Sequence, residues 1–105
     1  GGGGGGGGGG YKEYADAKDS YQEIIDIYCE IEKDRPNLYA TDLASTYSKI
    51  ASVYKELGMN DEAIQSYEKA KILYEKLSTS EPSYNAEVAK CLKAQAILYE
   101  SYMNV

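Results

Sequence analysis

The sequence predicts an all-α chain built as a stack of antiparallel helical hairpins. Two observations carry that expectation. Apolar residues recur at spacings of three and four in four separate segments, and no segment alternates with period two. The chain also repeats itself. Ala17, Ser20, Tyr21, Tyr28 and Pro36 return 46 residues later as Ala63, Ser66, Tyr67, Tyr74 and Pro82. Leu43, Ala44, Ala51 and Tyr54 return 45 residues later as Val88, Ala89, Ala96 and Tyr99. Self-similarity at one long period marks like units that bury a core by piling on one another.

The first helix is expected from about Tyr14 to Asp34, with Ala17, Tyr21, Ile24, Ile25, Tyr28 and Ile31 on its apolar side. Arg35-Pro36-Asn37 ends it, because a residue before proline disfavours helical backbone. The second helix is expected from Tyr39 or Ala40 to Leu57, with Leu43, Tyr47, Ile50, Ala51, Tyr54 and Leu57 as its stripe. Gly58 follows where a left-handed cap is wanted. Asn60 or Asp61 is placed to cap the third helix, and Asp61 and Glu62 suit the positive end of its dipole. That helix should run from about Asp61 to Leu77, through Ala63, Ile64, Tyr67, Ala70, Leu73, Tyr74 and Leu77. Ser78 to Ser83, with Pro82, breaks the pattern again. The fourth helix should run from Tyr84 or Asn85 to Tyr102, through Val88, Ala89, Leu92, Ala96 and Tyr99. With no partner helix after it, this stripe should stay open.

The domain reading is Gly1–Gly10 as a poly-glycine segment and 11–105 as one helical repeat domain. The repeat offset places the end of a further leading helix across the glycines. They are read as standing for residues of such a helix, or as a linker.

Hydrophobic residues at 43% and charged residues at 27% fit a globular chain. No apolar run approaches the ~18 residues of a membrane span. No membrane partner is expected, and a cytoplasmic setting is favoured. The net charge of −6 argues against a nucleic-acid partner, since phosphate contacts need clustered Lys and Arg. The absence of His removes the commonest general base and metal ligand. Cys29 and Cys91 lie in apolar stretches without a CxxC, so each reads as a buried free thiol. Glu23 and Asp26, or Asp61 and Glu62, are solvated helix faces rather than catalytic pairs. No nucleophile stands at a recognisable spacing from a base, and no glycine-rich phosphate loop is present. No enzyme, cofactor or metal site is expected. Most of the twelve tyrosines fall on the apolar stripes, where core packing explains them, with Tyr11, Tyr39 and Tyr102 less securely placed.

Residues 47–58 carry a finer likeness. Tyr47, Ile50, Ala51, Tyr54 and Gly58, followed by Ala63, Tyr67 and Ala70, resemble the two helices of a tetratricopeptide repeat. Ala17 and Tyr21 match the second helix of a preceding unit, and Ala89, Leu92, Ala96 and Tyr99 the first helix of a following one. Ile24 stands where a small residue is usual, and Gln95 where an apolar one is. The period is longer than the family's ~34 residues. In this it resembles the extended repeats of kinesin light chains and many bacterial sensor and scaffold proteins. The likeness covers essentially all of residues 11–105.

The resemblance implies a right-handed stack and a concave groove that binds a protein or peptide. Carried onto this chain, Ser45, Ser48, Lys49, Ser52 and Lys55 would line the groove from the second helix. Lys90, Lys93, Ala94 and Ile97 would line it from the fourth. Both helices are net neutral, so a neutral or acidic peptide is the expected ligand. Lys and Asn that grip a terminal carboxylate in the chaperone-tail subtype are replaced by Ser48 and Ser52, so that subtype is disfavoured. Two other functions stay open at this level. One is self-association through the exposed repeat ends, giving a homo-oligomer. The other is a sensory role within a larger bacterial regulator.

Overall fold

The computed structural model describes residues 10–103, and the reading of Gly1–Gly9 lies outside them. The chain folds into four helices, α1 (Gly10–Asp34), α2 (Ala40–Glu56), α3 (Asn60–Ser78) and α4 (Asn85–Met103). No strand occurs among the described residues. Each helix packs mainly on its neighbours in sequence, α1 on α2, α2 on α3 and α3 on α4. The shortest dimension, 20 Å, is about two helix diameters, so the helices form two layers.

α1 begins earlier than the apolar stripe predicts. Tyr11 is exposed, so this added turn rests on backbone hydrogen bonding rather than burial. α1 gives way to a loop in which Asn37 takes φ +71°. The Asn37 amide donates to Glu32 Oε2 at 3.0 Å, which satisfies a donor beyond the helix end.

The α2–α3 turn follows the expectation closely. Gly58 has φ +80°, its amide donates to the Lys55 carbonyl at 3.0 Å, and the Met59 amide reaches back to Tyr54 at 2.8 Å. This paired closure uses two of the orphan carbonyls at the end of α2 and needs a residue that tolerates left-handed backbone. The N-cap of α3 differs from expectation. Met59 holds that position without a side-chain bond, and Asn60 is already helical. The turn puts apolar Met59 rather than Asn60 at the cap position, so the acids Asp61 and Glu62 serve the helix start through its dipole. Before α4, Pro82–Tyr84 form a single 3₁₀ turn, with the Tyr84 hydroxyl 3.0 Å from Thr41 Oγ1.

Two apolar clusters meet across α2. Ile25, Leu43 and Ile50 form one, with Tyr21, Tyr28 and Tyr54 beside them. Ala44, Ala70, Tyr74 and Cys91 form the other, with Tyr67, Leu77, Tyr84 and Val88. Tyr47 and Leu73 touch both, so the two clusters are one continuous core. Ala44, Ala51, Ala63 and Ala70 are wholly buried, and their small side chains let α2 and α3 approach closely.

The expected stripe of α4 stays open apart from Val88, and the helix packs by its other side. Val88, Cys91, Gln95 and Leu98 turn toward α3, while Ala89, Leu92, Ala96 and Tyr99 remain outside. Gln95 accounts for much of the orientation. Its Nε2 donates to the Ile64 carbonyl and to Glu68 Oε1, each at 3.1 Å. Further along, the Tyr102 hydroxyl donates to the Asp61 carboxylate. The pairings of 102 with 61 and of 95 with 64 and 68 run α4 antiparallel to α3. The tyrosines divide by burial. Tyr74 is enclosed, Tyr21, Tyr28, Tyr47, Tyr54, Tyr67 and Tyr84 are half-buried, and Tyr11, Tyr14, Tyr39, Tyr99 and Tyr102 are exposed.

Candidate functional site

Two faces of the helix stack present side chains that a ligand could use. The first is the surface of α2 and α4 that the family resemblance points to. On α2, Lys49, Ser52 and Lys55 are exposed, whereas Ser45 and Ser48 are half-buried. Ser45 and Ser52 lie beside Tyr74 and Tyr67 of α3. Burial pushes the Tyr74 phenol up to about 12, and its hydrogen bond with Ser45 works against that rise. Burial likewise raises Tyr67, opposed by a hydrogen bond with Ser52. On α4, Lys90 pairs with Glu87 at 3.4 Å, Lys93 and Ile97 are exposed, and Ala94 is half-buried. The lysines supply positive charge to this surface, but none of the nine residues lines either of the two principal cavities.

The second face is a cleft of about 290 Å³ between α1 and α3, with α2 as its floor. Sequence reasoning placed no site here. Ile25, Ile50 and Tyr54 supply its apolar lining. Gln22 and Asp26 stand on the α1 wall, and Gln65 and Lys69 on the α3 wall. The period of 3.6 explains the arrangement, since residues four apart on α1 and on α3 line one side of each helix. Gln22 Nε2 donates to Asp26 Oδ1 at 3.1 Å, so the α1 wall is held by its own hydrogen bond.

At the base, Cys29 Sγ lies 3.8 Å from the Tyr47 hydroxyl, and Lys69 Nζ sits 5.6 Å from the centre of the Tyr47 ring. A cation over a ring face is attracted by its negative quadrupole. Burial first, and Cys29 second, push the Tyr47 phenol up to about 12, so it stays protonated and a donor at neutral pH. The cleft therefore offers a mainly polar lining of amide, carboxylate and ammonium groups around half-buried Tyr47 and Tyr54. Its volume lies just under the ~300–1,000 Å³ of small-molecule sites and suits an anchoring side chain.

A second cavity of about 380 Å³ lies between the α1–α2 loop and the end of α3, lined by Asn37, Ala40, Leu77 and Thr79 among others. The two cysteines differ. Cys91 is enclosed, and burial pushes its thiol up to about 11, whereas Cys29 is half-buried on the cleft. Among the described residues, no group of three His, Cys, Asp or Glu side chains is gathered as a metal site. No described helix is long and apolar enough to cross a membrane.

Comparison with known proteins gave no match to a family model, to a curated protein or to a solved structure.

Proposed function

We propose that the chain is a non-catalytic module that binds a protein or peptide, built as a right-handed stack of tetratricopeptide-like hairpins. The observation that carries the proposal is the cleft between α1 and α3. Half-buried Tyr47 and Tyr54 offer aromatic surface to an inserted side chain, and Gln22, Gln65, Asp26 and Lys69 around them can bond its polar groups. The α2–α4 surface is the weaker candidate, because none of its nine residues lines either cavity.

A random-peptide display library panned against the chain tests the proposal and separates the two faces. Selected peptides should lose binding to Gln65→Arg, which fills the cleft mouth, and should keep binding to Lys49→Glu/Lys93→Glu. Loss with the charge reversal alone would move the site to the α2–α4 surface. Failure to select any sequence-specific peptide would refute the binding function.

A further inference from the structure

The two outer helices expose residues whose internal counterparts are wholly buried. In α2, Ala44 and Ala51 are 0% exposed, and their repeat equivalents in α4, Ala89 and Ala96, lie on the surface. In α3, Ala63, Ser66 and Ala70 are enclosed, while Ser20 and Ile24, which match Ser66 and Ala70, are exposed in α1. α4 therefore carries the side of α2 that receives α3, and α1 carries the side of α3 that receives α2. Around these positions stand Leu92 at 49% and Tyr99 at 53% exposure on α4, and Ile24 at 38% and Ile27 at 54% on α1. Leu92, Ala96, Tyr99 and Met103 follow one another at spacings of four, three and four, a continuous seam along one helix.

We infer that the α4 face of one copy receives the α1 face of a second copy, head to tail, and so re-forms between molecules the pairing that α2 and α3 make within one. Two features favour this occupant. The contact places are apolar on both sides. At the places equivalent to Tyr47 and Ala70, which pack in one cluster, stand the exposed Leu92 and Ile24. Pairing them removes aliphatic surface of both helices from water. Charge disfavours the pairing of α1 with α1. α1 holds eight acids and three lysines, and α4 holds two of each sign. Pairing α1 with α1 sets two acidic helices together, whereas pairing α1 with neutral α4 does not, and Lys93 flanks the seam. The contact is heterologous, so association leaves one free face at each end and continues beyond a dimer.

Sedimentation velocity over a concentration series tests this with wild type, Ile24→Glu and Leu92→Glu. Both substitutions are at exposed positions, and circular dichroism checks that each variant remains folded. Wild type should grow past a dimer with concentration. Each variant alone should remain monomeric over a range on the order of a hundredfold higher, because its one blocked face must bury a carboxylate. An equimolar mixture of the two should form a heterodimer and nothing larger, since Ile24→Glu keeps a free α4 face and Leu92→Glu a free α1 face. A wild type that stays monomeric, a single variant that still self-associates, or a mixture that stays monomeric would each overturn the inference.

Discussion

Gln95 offers the sharpest test of how this core is specified. It occupies the repeat position of Ile50, is 7% exposed, and donates from one nitrogen to the Ile64 carbonyl and to Glu68. Replacing it by Leu removes both bonds but strands neither acceptor. The Ile64 carbonyl lies within α3, where the Glu68 amide is its helical partner. The Glu68 side chain is 46% exposed and has Lys71 at 3.3 Å, so water and the lysine replace the lost donor. The bonds contribute about 1–3 kcal/mol together, and a buried Leu returns about 1.5–3 kcal/mol. Gln95→Leu should therefore lie within about 1 kcal/mol of wild type. Gln95→Ala regains no such burial and leaves a void, so it should lose about 2 kcal/mol. That is a fall of roughly 8–16 °C in Tm for a domain of this size. Urea denaturation followed by circular dichroism measures both. The acid limb adds an independent check. The bond from Gln95 is the main reason the Glu68 carboxyl lies below its ordinary 4.5. A depressed folded pKa contributes stability above the unfolded value and loses it as pH falls, so wild type should surrender more stability in acid than Gln95→Leu. A Leu variant as weak as the Ala variant, with an unchanged acid limb, would refute the reasoning. It would show that the hydrogen bonds, rather than volume, hold α4 on α3.

Other consequences are as direct. Gly58→Ala meets no atom within 4 Å, so its cost is the backbone strain of φ +80° alone, about 1 kcal/mol by chemical denaturation, and Gly58→Asn should cost less. Ala51→Leu forces a larger side chain between α2 and its neighbours at a wholly buried position and should lose about 1–3 kcal/mol or more in the same assay. Cys91 should react with dithionitrobenzoate only as fast as the protein opens, while Cys29 reacts in the folded state. Stability should be complete below about pH 9 and decline above it. The Cys91 thiol is raised from 9.0 to about 11 and the Tyr47 and Tyr74 phenols from 10.0 to about 12, so the folded state resists ionisations the unfolded chain accepts. Alkaline unfolding followed by tyrosinate absorbance checks this, and a flat profile to pH 11 would contradict it.

The sequence by itself determined the four helices, their breaks at Pro36, Gly58 and Pro82, and the small-residue contact of α2 with α3. These features are local or periodic. A stripe at 3.6 spacing and a glycine at a left-handed turn state their own requirements. The tertiary structure alone decided which side of α4 faces inward. The repeat marked Val88, Ala89, Leu92, Ala96 and Tyr99 as a stripe left open, but nothing in it names Cys91, Gln95 and Leu98 as the residues that meet α3, since that depends on the facing surface of α3. Gln95 read as a departure from pattern, because its acceptors lie about thirty residues earlier in the chain. The candidate site divides in the same way. The lysines of the α2–α4 surface are visible one helix at a time. The cleft is formed by residues of three helices, none of which signals it alone, and only the distance between α1 and α3 across α2 creates it.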